Sequence, residues 1–242
     1  MSTVWITGGG SGIGKALALS FGSDGWDVVI SGRDQQRLQK VCELSPQIRS
    51  VVCDIKDEED VLSAQPKIGQ IDLAVLNAGD YWPGLTYACS QNDHREIFEV
   101  NYFGTLNCIQ AVLPKMRKNG GRLAIVGSLA GYIGLPNASA YGPSKAALIS
   151  LCESLRAELQ DSLVTVQLIN PGFVKSALTD KNDFTMPNLL SAEQAAIEIR
   201  HGLEGDRFEI AIPRTFVWRM KFLQMMPYRL YFYLARKMLK QI

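Results

Sequence analysis

The sequence predicts an α/β protein in which a parallel sheet carries helices on both faces. Three observations carry this reading. Short apolar, β-branched runs alternate along the chain with segments of helical periodicity. The runs close on small or polar residues such as Asp54, Asn77, Gly127 and Asn170. The first run passes directly into a glycine-rich loop and then into a helix, the order of a β-α-β unit. With 242 residues, 47% of them hydrophobic and 20% charged, the chain suits one large core.

Taken in order, Thr3 to Thr7 is a short β-branched strand, and Gly8 to Gly14 forms the loop. From Lys15 to Phe21 apolar residues recur at helical spacing. The loop reads T-G-x-x-x-G-x-G, with Thr7, Gly8, Gly12 and Gly14 fixed and Gly10, Ser11 and Ile13 between them. Glycines let backbone approach a pyrophosphate, and a helix N-terminus offers unpaired N–H groups and the positive end of its dipole. A second strand, Val28 to Ser31, ends in Gly32, Arg33 and Asp34. At this strand end an acidic residue would hold a ribose 2′-hydroxyl, and an arginine would accommodate a 2′-phosphate. Arg33 favours NADP(H) over NAD(H), although Asp34 stands beside it.

Further strands are expected at Ser50 to Cys53, closing on Asp54 and Ile55, and at Ile71 to Leu76, closing on Asn77, Ala78 and Gly79. Helices are expected at Gln35 to Leu44 and Asp57 to Gln65, the second with its acids at the N-terminal end. Gln91 to Lys118 is helical and contains Asn101 among Val100, Tyr102 and Phe103, a polar residue that needs hydrogen-bond partners if buried. A strand at Arg122 to Val126 leads to Gly127 and Ser128, and a helix runs from Tyr141 to Gln160. Two more strands, Thr165 to Ile169 before Asn170-Pro171-Gly172 and Arg207 to Ile212, complete the series. Ligands of such sheets bind beyond the carboxyl ends of the strands, where these polar residues collect.

Tyr141 and Lys145 stand four apart on one helix and share a face. A phenol near an ammonium is a tunable acid, because the positive charge favours the phenolate and lowers the pKa.

Together the loop from Thr7 to Gly14, Asp54, Asn77-Ala78-Gly79, Asn101, Ser128, Tyr141 with Lys145, and Asn170-Pro171-Gly172 resemble the short-chain dehydrogenase/reductase family in order and spacing. The resemblance implies a single Rossmann-type, doubly wound sheet of about seven strands over residues 1–213, and a nicotinamide cofactor. It also implies a catalytic tetrad. Tyr141 would exchange a proton with the substrate oxygen, and Ser128 would hold that oxygen. Lys145 would bond the nicotinamide ribose and depress the Tyr141 pKa, and Asn101 would keep a water in a relay to Lys145. Pro171, Gly172 and Val174 would adjoin the nicotinamide. Ser176 stands where many relatives carry a threonine, and Leu76 where many carry a second asparagine. The implied activity is hydride transfer between NADPH and a carbonyl or alcohol. The alternative is a non-catalytic NADP(H)-binding sensor or scaffold. The family's habit of pairing the Asn101–Lys118 and Tyr141–Gln160 helices implies a homodimer or homotetramer.

Five cysteines with no CxxC pair suggest neither a disulfide framework nor a metal site. With no secretory signal or eighteen-residue apolar run, a reducing, cytoplasmic location is expected. The net charge of +1 conceals an asymmetry. All seven charges after Glu209 are basic, leaving 18 basic against 24 acidic residues before them. Residues 214–242 therefore form a basic, aromatic, helical extension, with Leu230, Tyr231, Leu234 and Met238 expected on one side of its last helix and Arg229, Arg236 and Lys240 on another. This extension either packs over the substrate pocket, packs on a second subunit, or adheres to an anionic membrane surface. Nucleic-acid binding is not expected, since the bulk of the chain is acidic and no such motif is present. Tyr81, Trp82 and Phe173 near the expected site suggest an apolar carbonyl substrate.

Overall fold

The computed structural model describes residues 2–239, except for the side chains of Met238 and Leu239. The expectations placed on Met238 and Lys240 therefore fall outside the described residues.

Seven parallel strands form one sheet in the order β3-β2-β1-β4-β5-β6-β7. They are β1 (Thr3–Thr7), β2 (Asp27–Gly32), β3 (Ile48–Val52), β4 (Leu73–Leu76), β5 (Gly121–Val126), β6 (Val164–Pro171) and β7 (Glu209–Ile212). Every neighbouring pair is parallel. Between them run the helices α1 (Gly12–Ser23), α2 (Gln35–Cys42), α3 (Glu58–Ile68), α4 (Gln91–Phe98), α5 (Gly104–Asn119), α6 (Tyr141–Glu158) and α7 (Ala192–Glu204), followed by α8 (Arg214–Met225) and α9 (Tyr228–Leu239).

The two-residue repeat of a strand explains how one sheet feeds two cores. In β1, Val4 and Ile6 point to one face, where they meet Leu17 and Phe21 of α1, Leu38 of α2 and Ile199 of α7. Trp5 points to the other, among Val61 of α3, Ile109 and Val112 of α5, and Leu148 of α6. Strands buried on both faces read as unbroken apolar runs, as the fully buried Leu73–Leu76 does.

Two features of the helices depart from the sequence reading, and a third follows it. Helix α7 has no counterpart in it, because two of its four buried residues are Ala195 and Ala196, which give a weak apolar stripe. Its start is nonetheless marked by a capping box between Ser191 and Gln194. The expected Gln91–Lys118 helix is interrupted by a π-helical turn at Glu99–Phe103 that contains Asn101. The C-terminal extension is two helices broken at Pro227, where a helix interior would reject proline.

Helix α8 packs on the loop after β5: Val217 and Met220 form a small third core with Leu129. Among the described side chains of α9, Tyr231 and Ala235 are buried, and the Tyr231 hydroxyl donates to the carbonyl of Gly134. Leu230, expected on the packed side, is 47% exposed, because Ala235 rather than Leu230 continues the face that begins with Tyr231.

Candidate active site

The strand order reverses between β1 and β4, and the segments leaving these two strands are laced together. The Thr7 hydroxyl accepts from the backbone N–H groups of Asn77 (2.9 Å) and Ala78 (3.0 Å), while the Asn77 amide donates to the Thr7 carbonyl at 3.0 Å. The glycines are needed for closeness. Gly8 has φ +67°, and a Cβ there would lie 2.9 Å from Cα of Ala78; a Cβ on Gly14 would lie 2.4 Å from the Gly8 carbonyl oxygen. Helix α1 then begins with Ser11 as its N-cap, and no side chain satisfies the first-turn N–H groups. An uncapped helix N-terminus beside a backbone-lined hollow is an anion cradle.

A cleft of about 460 Å³ opens at this switch point and extends over the ends of β5 and β6. Gly8, Gly10, Ser11, Gly12 and Ile13 line it, as do Arg33, Ile55 and Asn77-Ala78-Gly79. Ser128, Tyr141 and Lys145 line its far part with Pro171, Gly172, Val174 and Ser176. Four residues expected at the site lie behind this lining. Thr7 is consumed by the lacing and Gly14 by its contact with Gly8. Asp54 is turned to local backbone: its carboxylate accepts from the N–H of Lys56 at 3.0 Å, leaving Cys53 and Ile55 on the cleft wall. Asn101 is fully buried.

Asn101 is fixed on three sides. Its Oδ1 accepts from the N–H of Asp80 at 2.7 Å, and its Nδ2 donates to the Asp80 carbonyl and the Ser144 hydroxyl, each at 3.0 Å. The partners demanded by a buried amide are thus supplied by the segment after β4 and the first turn of α6. A Cβ on Gly79 would sit 3.0 Å from Asn101 Oδ1 and 3.5 Å from Lys145 Nζ, which places Gly79 between the two side chains.

Tyr141 opens α6, and its ring meets Tyr81 edge-on with centroids 4.9 Å apart. Lys145, one turn on, is 3% exposed and donates from Nζ to the Val126 carbonyl at 2.9 Å. Ser128 caps the short turn after β5, its hydroxyl accepting from Ala130 N–H at 3.1 Å. Burial pushes the Tyr141 phenol above its usual pKa, and its hydrogen bond with Ser128 offsets part of that rise. Burial pulls Lys145 down to about 8. The expected depression of the Tyr141 pKa by Lys145 is therefore corrected. The amine lies 5.7 Å from the phenol ring centroid, is engaged by Val126, and is itself disfavoured as a cation.

At the end of the cleft beside β2 and α2, Asp34 caps α2 by accepting from Arg37 N–H and pairs with the Arg37 guanidinium at 3.0 Å. Arg33 is exposed and has no acidic partner among the described residues.

The sequence reading missed the segment between β6 and α7. Ala177, Leu178, Thr179, Asn182 and Phe184 all line the cleft. The Thr179 hydroxyl donates to the Val174 carbonyl at 3.0 Å and accepts from Ser176 N–H at 2.9 Å, so the two hydroxyl residues act together. Tyr81 donates to Asn182 at 2.7 Å, and Lys181 reaches the Tyr81 carbonyl at 2.7 Å and Asp80 at 3.2 Å, which clasps this segment to the chain after β4. No periodicity marks such a stretch in sequence. Phe173 lines the cleft as expected, joined by Leu135 to Ala138 and by Phe216 and Met220 of α8. Trp82 does not; it is half exposed, with Lys181 5.8 Å from its ring centroid.

Residues 2–186 match the short chain dehydrogenase family. An uncharacterized oxidoreductase of Myxococcus xanthus is 32% identical, with 98% of this chain and 97% of that protein covered. The dehydrogenase/reductase SDR family member 7B of Xenopus laevis is 33% identical over 74% of this chain, and the match spans 60% of that longer relative. Among solved structures, a short chain dehydrogenase from Burkholderia cenocepacia in complex with NADP superposes with a TM-score of 0.83 at 26% identity, covering 91% of both chains. One from Burkholderia phymatum in complex with NAD has the same fold, with a TM-score of 0.82 at 23% identity over 91% of this chain and 92% of that one. A match over most of the chain, and a fold that brings Ser128, Tyr141 and Lys145 to one cleft, together make this chain a member of the short-chain dehydrogenase/reductase family.

Proposed function

We propose that the protein is an NADP(H)-dependent oxidoreductase that interconverts a carbonyl compound and its alcohol, with Tyr141 as general acid and base. The observation that carries this reading is the meeting of Ser128, Tyr141 and Lys145 in the same cleft as the uncapped start of α1. The residues present fit a dinucleotide. The glycine loop leaves room for a pyrophosphate against backbone N–H groups, and Asn77-Ala78-Gly79 and Pro171-Gly172 line the path onward to Lys145. The related structures bound to NADP or NAD agree with a nicotinamide cofactor. When bound, such a cofactor supplies or accepts the hydride.

The choice of NADP(H) rests on Arg33. Asp34 is already committed to Arg37 and to capping α2, which leaves the Arg33 guanidinium as the group suited to a 2′-phosphate. In the reductive direction Tyr141, held protonated by burial, gives its proton to the carbonyl oxygen, and Ser128 stabilises charge on that oxygen. Lys145 holds the ribose end of the cofactor, and Asn101 fixes the backbone of Asp80 behind it. Tyr81, Leu129, Phe173, Phe184 and Met220 give the substrate side an apolar lining, which suits an apolar or aromatic carbonyl compound. We place the protein in the cytoplasm as a homodimer or homotetramer joined through α5 and α6, an arrangement that sedimentation velocity tests directly.

Substituting Tyr141→Phe tests the reading. Turnover of a carbonyl panel with NADPH is expected to fall by roughly 10²–10⁴-fold, while NADPH binding, followed by nucleotide fluorescence, is retained. Unchanged turnover would remove Tyr141 from the chemistry. A wild-type protein that binds NADPH and turns over nothing in the panel would favour the sensor reading.

A further inference from the structure

The exposed sides of α8 and α9 break the usual pattern of a surface helix. An ordinary surface helix turns its apolar stripe inward and its polar residues to water. Helix α8 has one such stripe, Phe216, Val217, Met220 and Leu223, turned to the core and the cleft. It also has a second on the opposite side: Trp218 is 75% exposed, Phe222 62% and Met225 79%. Helix α9 also exposes Tyr228 (74%), Phe232 (61%) and Tyr233 (58%). Tyr228 and Phe232 stack with centroids 5.7 Å apart, and Lys237 lies 4.6 Å from the Tyr233 ring centroid. Single exposed apolar residues mean little, but so many exposed aromatic and apolar side chains on two successive helices mark an interaction site.

The charges select the partner. Arg214, Arg219, Arg229, Arg236 and Lys237 are all exposed on these helices, and none has an acidic partner among the described residues. Lys221, the remaining described cation, is held inward by Glu209 at 2.5 Å. The chain has no acidic residue after Glu209. A two-fold pairing of this face with its own copy would set these cations against one another. A partner that is both anionic and able to take up Trp, Phe and Met side chains to a shallow depth satisfies both features, as the interface of an acidic bilayer does. No helix among the described residues is long and apolar enough to cross a membrane.

We infer that the outer faces of α8 and α9 form a docking surface for an anionic lipid bilayer, with the aromatic residues entering the headgroup region and the arginines and Lys237 engaging acidic headgroups. The full-length protein can be tested by sedimentation with vesicles of phosphatidylcholine alone and of phosphatidylcholine with about 30% phosphatidylserine. Binding to the acidic vesicles is expected to exceed that to the neutral ones by roughly tenfold or more, and to weaken as salt screens the charges. A blue shift of tryptophan emission is expected to accompany it, and to be lost in Trp218→Phe. Two variants separate the contributions: Trp218→Ser with Phe222→Ser, and Arg229→Glu with Arg236→Glu. Each is expected to reduce vesicle binding at least about fivefold, while turnover of a water-soluble carbonyl compound is unchanged.

The inference is overturned if the wild type stays in solution with both vesicle types, or if both variants bind as the wild type does. It is also overturned if the variants break an oligomer without changing lipid binding, which would make the face an interface between copies. Binding to a DNA duplex that matches the vesicle affinity and ignores Trp218 and Phe222 would assign it to nucleic acid. Vesicle binding is read without turnover, so failure here is distinct from failure of the proposed activity.

Discussion

Lys145 donates its ammonium to the backbone carbonyl of Val126 at 2.9 Å from a position that is 3% exposed. One hydrogen bond does not replace the hydration of a cation, so burial lowers its pKa to about 8 from 10.5. The sign of the resulting linkage is fixed. Between these values the unfolded chain binds more protons than the folded one, and stability contributed through this residue rises with pH. The Lys145→Met variant lacks this term. Measured by denaturant unfolding, the stability of the wild type relative to the variant is expected to increase by about 2 kcal/mol from pH 7.5 to pH 9.5. Turnover is expected to collapse in the variant at both pH values. A pH-independent difference in stability would show that Lys145 titrates normally.

The second prediction concerns Arg33. Charge-assisted hydrogen bonds to a phosphate contribute about 1.5–3 kcal/mol each. Arg33→Glu should therefore weaken NADPH binding by roughly 10–100-fold and leave NADH binding much less affected. Titration of both dinucleotides by fluorescence checks this. Equal losses for the two would mean that Arg33 supports the fold of the β2–α2 corner and does not read the 2′-position.

The fold was largely legible because its strands are short, apolar and closed by distinctive residues. The predicted Thr3–Thr7 strand coincides with β1, and the others differ from their elements mainly at the ends. What escaped had no periodic signal. Helix α7 hides its face behind alanines, and the segment from Ala177 to Phe184 is irregular backbone whose cleft contacts depend on the clasp to Tyr81 and Asp80. The site was legible as a set of residues, but their depth was not. Thr7, Gly14, Asp54 and Asn101 lie one layer behind the cleft, where hydrogen bonds and close packing place them. The pKa shifts of Tyr141 and Lys145 could not be read from a four-residue spacing, because burial sets both.

The clasp gives the third prediction. Tyr81→Phe keeps the ring against Tyr141 and removes only the bond to Asn182. A single hydrogen bond contributes about 1 kcal/mol, so cofactor or substrate affinity should fall about fivefold. Lys181→Ala, which removes the bonds to Asp80 and the Tyr81 carbonyl, should act in the same direction. Proteolysis between Ala177 and Asn188 should speed up in both variants while global unfolding is nearly unchanged. If protection persists, another contact holds the segment.

The last prediction rests on Glu209, at the start of β7. Its carboxylate accepts from Asn170 at 2.9 Å, from Lys221 at 2.5 Å and from the Tyr132 hydroxyl, joining β6, α8 and the loop after β5. Burial pushes this carboxyl up, but the hydrogen bonds from Lys221, Tyr132 and Asn170 outweigh it, and the pKa falls below 4.5. A carboxyl depressed in the folded state adds stability that is present above pH 4.5 and is lost as pH falls through the folded value. Glu209→Ala leaves the buried Asn170 amide and Lys221 without their acceptor, at an expected cost of about 3 kcal/mol. The variant should therefore show a flatter decline in stability below pH 4.5 than the wild type. Because Tyr132 and α8 hold Phe216 and Met220 at the cleft, the KM for an apolar carbonyl should also rise. Glu209→Gln, which keeps an acceptor oxygen but no charge, should recover part of that KM and none of the acid dependence. Identical acid denaturation of all three proteins would show that the Glu209 cluster does not titrate with folding.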